Sequence, residues 1–241
     1  MSISPKTVAF FGASTGIGLS ALKHTLAAGH YCVALCRVPA KLETLKETHP
    51  NLRIIEGNAH DFEVVTSCLK KSDGMIVDEV VSSIGAKPVP YKMTIDDPQV
   101  CQIGMATLLD ALTQLRSKGA TGRPLIIALS TTGTSHFGRD YPLILTPLYA
   151  VGLKVPRDDK MVMEEKLAKS GEDFCIVRAS LLVNGGSKAP IRAGIEDPKI
   201  GREHEEIGYT ISREDAGKWI ADNLLLARVP KYINKITSIT W

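Results

Sequence analysis

Three glycines lie where the phosphates of a nucleotide could approach the backbone. The stretch GASTGIG, residues 12–18, follows an apolar run at 7–11 and precedes a helical pattern. Gly12 permits a tight turn, Gly16 removes a Cβ from the path of a pyrophosphate, and Gly18 lets the helix pack closely on the strand. The N–H groups of the first helical turn and the positive end of the helix dipole favour anions there. The pattern predicts a dinucleotide site that includes Gly12, Ser14, Thr15, Gly16, Ile17 and Gly18.

The residue after the second predicted strand indicates which dinucleotide is bound. Proteins that use NAD place a carboxylate about 20 residues beyond the glycines, where it contacts the ribose 2′-hydroxyl. In this chain the run 33–36 ends in Arg37 instead, and Lys41 follows. A guanidinium can donate two parallel hydrogen bonds to a 2′-phosphate. The sequence therefore predicts NADP(H), with Arg37 as the main partner of the phosphate and Lys41 as a second cation.

The ends of the next two predicted strands should complete this site. In an open parallel sheet the ligand lies beside the carboxyl ends of the strands. The residues after the third strand, expected beside the adenine, are Asn58, Ala59 and Asp61. The residues at the end of the fourth strand, expected beside the nicotinamide ribose, are Ser82, Ser83, Ile84 and Gly85.

Regular alternation of strand and helix patterns must position these residues. The predicted strands cover 7–11, 31–36, 52–56, 75–82, 124–130, 173–178 and 235–240. The predicted helices cover 17–28, 39–48, 61–71, 98–117 and 158–170. Such βαβ alternation predicts the α/β class: one Rossmann-type domain over residues 1–241, with a doubly wound, mostly parallel sheet of about seven strands and helices on both faces.

Two long segments and a late helix complete the organisation. Residues 131–157 and 179–211 are rich in Gly, Pro, Ser and Thr and follow strand ends, so we expect them to be loops that form a substrate pocket. Ser212 is the expected N-cap of a late helix, with acidic residues in its first turn. The apolar residues of that helix, expected to face the sheet, are Trp219, Ile220 and Leu224.

Composition excludes several classes of protein. Hydrophobic residues make up 44% and charged residues 23% of the chain, and the net charge of +3 is scattered rather than clustered, which gives no case for nucleic acid. No apolar run is long enough to span a membrane, so we expect a cytoplasmic protein. Five cysteines without a CxxC motif indicate reduced thiols. The histidines lack the spacing of metal ligands, so no metal site is expected.

The chain resembles the short-chain dehydrogenase/reductase superfamily, and within it the atypical, NmrA-like NAD(P)H-binding branch that includes flavin reductase (biliverdin-IXβ reductase). The resemblance extends over nearly the whole chain. It rests on GASTGIGLSALKHTLAAGHYCVALCR, IIALSTT, DDKMVMEEKLAKSGEDFCIVRAS and ISREDAG.

Typical members of this superfamily carry a Tyr-x-x-x-Lys pair in which the tyrosine gives a proton to a carbonyl. Tyr149 and Lys154 are five residues apart, which rotates them by about 140° on a helix, so they form a weak candidate pair. Lys160 fits the frame Lys-x-x-x-Glu-x-x-Leu with Glu164, a carboxylate that we expect to be exposed or structural. This frame places Pro156 where the tyrosine would stand.

The resemblance also implies which residues could take part in catalysis when the tyrosine is missing. Ser130 and Thr131 end the fifth predicted strand where the superfamily has its serine, and either hydroxyl could orient a carbonyl. In the loop that follows, His136, Tyr141 and Tyr149 could supply a proton if folded over the site. Lys160, Ser130, Thr131 and Tyr149 are thus the candidate catalytic residues. Relatives without the tyrosine pass hydride to conjugated acceptors that can take their proton from solvent.

Three functions follow as hypotheses. The first is an NADPH-dependent oxidoreductase acting on a small aromatic or conjugated molecule such as a quinone, flavin or enone. The second is a non-catalytic NADP(H)-binding redox sensor of the NmrA type, which alone would require a protein partner. The third and weakest is a non-redox isomerase or cyclase on the same fold.

Overall fold

The computed structural model describes residues 5–89 and 94–241. Its strands, in chain order, are β1 Thr7–Phe11, β2 Tyr31–Cys36, β3 Leu52–Glu56, β4 Glu79–Ser82, β5 Pro88–Val89, β6 Thr94–Ile95, β7 Leu125–Thr131, β8 Asp173–Ala179, β9 Leu181–Val183, β10 Arg192–Asp197, β11 Gly201–His204, β12 Thr210–Ser212 and β13 Lys235–Thr240. Its α-helices are α1 Gly16–Ala27, α2 Glu43–Thr48, α3 Phe62–Cys68, α4 Val100–Ser117, α5 Lys154–Lys169 and α6 Arg213–Ile220.

The main sheet confirms the predicted α/β class. Its order is β11-β10-β13-β8-β7-β4-β1-β2-β3, and the seven strands from β13 to β3 are parallel. These are the seven predicted strands. Two further strands, β10 and β11, add antiparallel pairs at one edge and make nine. Segment 179–211, which was expected to be a loop, therefore holds much of its length in strands, because β10 pairs with the open edge of β13.

Several predicted boundaries move for identifiable reasons. The strand expected at 75–82 begins only at Glu79, since Ile76 forms an isolated bridge with Lys70. The helix expected at 39–48 is divided into a 3₁₀ turn and α2. Helix α5 begins at Lys154 rather than residue 158. Pro156 is tolerated in its first turn because the N–H groups there have no helical partner.

Apolar side chains are buried on both faces of the sheet. Along β1, Val8 and Phe10 pack towards α1 and α6, whereas Ala9 and Phe11 pack towards α3, α4 and α5. This two-sided burial explains the continuous apolar run at the start of the chain. The side chains of the late helix and the turn after it lie in the first of these layers, as expected for Trp219, Ile220 and Leu224.

Helices α1 and α6 approach each other closely. A Cβ at Gly217 would lie 2.6 Å from the carbonyl oxygen of Ile17, and Ser20 donates a hydrogen bond of 2.7 Å to the carbonyl of Glu214. Ser212 caps α6 as predicted, its hydroxyl accepting from the N–H of Asp215 at 2.9 Å. The start of α6 is thus fixed against α1.

The remaining predictions about composition concern thiols, metals and membranes. All five cysteines are buried and unpaired. Within the described ranges, no three His, Cys, Asp or Glu side chains are grouped as metal ligands. None of the helices seen in residues 5–89 and 94–241 is long and apolar enough to cross a membrane.

Candidate dinucleotide and substrate site

A cleft of about 570 Å³ lies at the carboxyl ends of β1, β2, β4 and β7. Most of the residues predicted from the sequence line it, although they come from distant parts of the chain. They are Gly12, Ser14, Thr15, Gly16, Ile17, Gly18, Arg37, Asn58, Ala59, Ser83, Ile84, Gly85, Ser130, Thr131 and Lys160. The predicted residues that are not among those lining it are Lys41, Asp61, Ser82, His136, Tyr141 and Tyr149.

Two of the three glycines in the turn, Gly12 and Gly18, leave no room for a side chain. Gly12 has φ +84°, and a Cβ there would lie 2.7 Å from the carbonyl oxygen of Ser83. A Cβ at Gly18 would lie 2.9 Å from the carbonyl oxygen of Gly12. The Ser83 hydroxyl donates hydrogen bonds to the carbonyls of Gly12 (3.0 Å) and Phe11 (3.2 Å). The turn is therefore held against the end of β4, with the first turn of α1 directed towards the cleft.

The end of β2 presents one exposed cation to the cleft. Arg37 follows Cys36 directly, is exposed and lines the cleft. Lys41 is also exposed but ends a 3₁₀ turn outside the lining. Ser82 is buried within β4, so its hydroxyl does not reach the cleft. Asp61, expected beside the adenine, caps α3 instead, its carboxylate accepting from the N–H groups of Glu63 and Val64.

Arg213 lines the cleft although its sequence position suggested only the start of a helix. Its guanidinium donates to Asn184 Oδ1 at 2.8 Å and to the carbonyl of Leu182 at 3.3 Å. Its Cδ lies 3.6 Å from where a Cβ would stand on Gly16. The Ser212 N-cap was the available signal, because the first helical residue after it lies beside α1.

The start of α5 forms one wall of the cleft. Leu153, Pro156, Arg157 and Lys160 are spaced at i, i+3, i+4 and i+7, so they share one face, and all four line the cleft. The ammonium of Lys160 donates to the carbonyl of Leu129 at 2.7 Å. The predicted frame thus brings Lys160 to the cleft, with Pro156 one turn before it.

Asp159, beside Lys160 in sequence, fixes this helix to its neighbour. Its buried carboxylate accepts from the N–H groups of Cys101 (2.9 Å) and Gln102 (3.0 Å) in the first turn of α4. An anion is favoured at that helix end by the dipole. Sequence reasoning missed this contact because the two residues that meet are far apart in the chain.

Ser130 is hydrogen-bonded to a buried carboxylate. Its hydroxyl donates a short hydrogen bond to Glu164 Oε1, and Thr134 donates to the same oxygen at 2.9 Å. Glu164 is buried and forms an ion pair with Arg178 at 2.6 Å. Its carboxylate was expected to be either exposed or structural, and it is structural. Because the only hydroxyl proton of Ser130 is donated inward, its oxygen can act towards the cleft only as an acceptor.

Arg178 is the centre of a buried charge network. Its guanidinium also contacts Glu196 at 2.9 Å and Asp140 at 3.8 Å, and only 1% of its side chain is exposed. Burial lowers the pKa of Arg178, but the neighbouring carboxylates more than offset this and keep it above its usual value. Burial raises the pKa of Asp140 despite Arg178. This network joins α5, β8 and β10 behind Ser130.

Tyr149 lies away from the cleft, contrary to its candidate role. It falls in a π-helical turn, Leu148–Gly152, and its hydroxyl is 2.6 Å from Thr132 Oγ1. Its ring stacks on Tyr141 with centroids 4.1 Å apart, and burial raises its pKa. Lys154 is exposed and paired with Asp158. The candidate pair of Tyr149 and Lys154 is therefore not formed.

The fold and this cleft define a class of protein. An open parallel sheet with a glycine turn and a helix N-terminus at its carboxyl edge is the architecture of Rossmann-type dinucleotide-binding proteins. This chain belongs to the NAD(P)H-binding family, whose sequence profile matches residues 12–225. The family predicted from the sequence motifs is confirmed, and it is of the oxidoreductase type.

Relatives over the full length carry oxidoreductase names. The chain is 38% identical to the reductase pytE of Aspergillus terreus, over 100% of both chains. It is 31% identical to the oxidase pynE of Aspergillus niger, over 99% of this chain and 100% of that one.

Solved structures of low identity share the fold. A short-chain dehydrogenase/reductase from Veillonella parvula in complex with NADP has a TM-score of 0.74 at 17% identity, covering 98% of this chain and 94% of that one. The anaerobillin reductase ChuY from Escherichia coli O157:H7 has a TM-score of 0.70 at 18% identity, covering 97% and 96%.

Proposed function

We propose that this protein is an NADPH-dependent reductase that transfers hydride to a small aromatic or conjugated acceptor, such as a quinone, flavin or enone. The observation that carries the proposal is the distribution of residues along one cleft. Arg37 stands at the adenosine end, and Lys160 stands at the other end without a tyrosine one turn before it. The curated relatives named reductase and oxidase support redox chemistry.

The residues at the end of the cleft near Arg37 fit a bound NADP(H). The glycine turn provides a cradle that a Cβ would fill, and the first turn of α1 offers N–H groups to a pyrophosphate. Arg213 adds a cation beside Gly16. Arg37 is exposed at the place where a 2′-phosphate would lie, and a guanidinium suits that group. NADPH is therefore favoured over NADH.

The residues at the end of the cleft near Lys160 favour an acceptor that needs no proton from the protein. NADPH, when bound, supplies the hydride. Lys160 provides positive charge beside the reacting groups, and Thr131 provides a half-buried hydroxyl that can orient a carbonyl. Ser130 gives its proton to Glu164, and Pro156 has none to give. Conjugated acceptors delocalise the electron pair and can then be protonated by water, so they match this site.

The proposal is tested by cofactor titration followed by turnover. We expect NADPH to bind at micromolar strength and NADH about a hundredfold more weakly, a gap of roughly 2.7 kcal/mol. NADPH oxidation is then followed with a panel of quinones, flavins, enones and unconjugated ketones. Turnover of conjugated acceptors alone supports the proposal. Tight NADPH binding without turnover of any acceptor class would contradict it.

That last outcome would favour the second candidate, a non-catalytic redox sensor. Neither Tyr149 nor Ser130 offers a proton to the cleft, because Tyr149 is buried against Thr132 and Ser130 donates to Glu164. This observation favours a sensor. A sensor must differ between its two cofactor states. Backbone hydrogen exchange of NADP⁺-loaded and NADPH-loaded protein measures that difference, and identical exchange in both states would exclude the sensor.

A further inference from the structure

Positively charged side chains outnumber carboxylates in the described lining of the cleft. Among residues 5–89 and 94–241, the cations of the lining are Arg37, Arg157, Lys160 and Arg213, and the one carboxylate is Asp97. Asp97 accepts a hydrogen bond from the N–H of Gln99, just before α4. The cleft thus carries more positive charge than its own carboxylate offsets.

The anions of NADP(H) account for part of this excess. Arg37 lies where the 2′-phosphate is proposed, and Arg213 lies beside Gly16 where the pyrophosphate is proposed. Lys160 is anchored to the carbonyl of Leu129. Arg157 precedes Lys160 by three residues, about 4.5 Å along the helix axis towards its N-terminus. No phosphate of the cofactor is proposed at this position.

Arg157 is also incompletely paired. Its side chain is 23% exposed, and its Nη1 donates to the carbonyl of Tyr149 at 3.3 Å. The closest carboxylate oxygen paired with it belongs to Asp158, 4.0 Å from Nη2, and Asp158 is itself paired with Lys154 at 2.5 Å. Its Nε is buried and has no hydrogen-bond partner among residues 5–89 and 94–241. A half-buried guanidinium with donors to spare is a natural partner for an anion.

Several apolar side chains also line the cleft. Leu153, Pro156, Leu181 and Leu182 line the same cleft, and the small residues Ala179 and Ser180 lie at the end of β8. An acceptor bound there would place a flat hydrocarbon body against the leucines and proline, with one polar group near Arg157. If NADP⁺ is bound as proposed, its nicotinamide would add positive charge that an acceptor anion would also offset.

The geometry points to an acceptor that carries an acidic group, a carboxylate or an ionised enol, with Arg157 as the residue that selects it. This inference rests on the proposed reductase function and adds the chemical class of its substrate. Arg157 is a specificity residue here, because hydride transfer itself does not require it.

The experiment compares two quinones that differ in charge and little in shape. The probes are 2-hydroxy-1,4-naphthoquinone, which is ionised at neutral pH, and 2-methoxy-1,4-naphthoquinone, which is neutral. Their Kd values are measured on NADP⁺-loaded protein. We expect the anion to bind at least tenfold more tightly. Arg157→Gln should remove that preference while leaving the Kd of the neutral quinone within about twofold, and Arg157→Lys should restore part of it.

The controls distinguish a loss of anion binding from a loss of folding, and a failure of this inference from a failure of the reductase proposal. Arg139→Gln removes an exposed arginine outside the cleft lining and should leave the preference intact. The Kd for NADPH verifies that each variant is folded. Equal affinity of the wild type for both quinones, or a preference that survives Arg157→Gln, overturns the inference. If the protein prefers the anionic quinone but reduces no acceptor, Arg157 still selects anionic ligands. That result would contradict only the reductase proposal.

Discussion

Ser130 donates its hydroxyl hydrogen to Glu164, and Glu164 is in turn paired with Arg178. The arrangement connects the cleft to the buried ion-pair network that joins α5, β8 and β10. It orients Ser130 as an acceptor and leaves proton donation to other groups. Two experiments follow from this relationship, one on catalysis and one on stability.

Replacing Ser130 should affect turnover only moderately. A general acid contributes about 10² to 10⁴ to the rate, and Ser130 has no free proton to contribute in this way. We expect Ser130→Ala to lower kcat by less than about tenfold, and Lys160→Met to lower it more, because it removes the charge beside the reacting groups. Steady-state kinetics with a quinone measures both. A loss of 10² or more in Ser130→Ala, with an unchanged NADPH Kd, would mean that Ser130 donates.

Removing Glu164 should destabilise the fold. Glu164→Ala leaves Arg178 buried with one close carboxylate fewer, and breaking a buried ion pair costs about 3–5 kcal/mol. Urea unfolding measures this loss. The matched control is Glu165→Ala, whose carboxylate is exposed and pairs with Lys169 on the helix surface, and whose free energy of unfolding should be unchanged. Equal stability of the two variants would show that the network does not stabilise the fold.

Arg37 should determine the preference for NADPH. We expect Arg37→Gln to weaken NADPH binding by about 10- to 100-fold, or roughly 1.4–2.7 kcal/mol, because a charge-assisted pair with the phosphate is lost. NADH has no 2′-phosphate, so its Kd should not change. Arg53→Gln removes an exposed arginine near the opposite end of the neighbouring strand and serves as the control. Lys41→Gln should have the smaller effect, since Lys41 lies outside the cleft lining.

Gly12 and Gly29 allow the conformational and steric effects of a side chain to be separated. Both have positive φ, at +84° and +87°, so either alanine substitution should cost about 1–2 kcal/mol of backbone strain. A Cβ at Gly29 meets nothing within 4 Å, whereas one at Gly12 collides with Ser83. We expect Gly12→Ala to weaken NADPH binding by more than tenfold and Gly29→Ala to leave it unchanged. Similar Kd values for both would contradict a steric role for the turn.

Glu79 should make stability depend on pH. Burial raises its pKa to about 7, although Lys6 contacts it at 2.7 Å, and its second carboxylate oxygen has no partner in the described part of the chain. An acid whose pKa is higher in the folded state binds a proton on folding, so stability is lost as pH rises from the unfolded pKa near 4.5 towards 7.

The comparison with Glu79→Gln isolates this group. Relative to the wild type, the variant should be more stable at pH 8 than at pH 5 by roughly 1–3 kcal/mol, measured by urea unfolding at both pH values. A stability difference that does not change with pH would contradict the expectation.

Local patterns predicted much of the fold and many of the residues that line the cleft. The turn at Gly12, the cation at Arg37 and the N-cap at Ser212 are recognisable because each depends on a few neighbouring residues. The cluster around Arg178 could not be found in this way, since its carboxylates come from separate elements. Strand β10 was missed because its sequence, RAGIED, mixes a glycine with charged residues and becomes a strand only by pairing with β13.

The contact between Gly217 and Ile17 has a consequence for how the protein is made. The glycine turn is synthesised well before α6, the helix that carries Arg213 and packs on α1. Until that helix emerges, the nascent chain holds a turn without its supporting helix and without the cation beside it. Whatever α6 contributes to dinucleotide affinity should therefore appear only after that helix has been made.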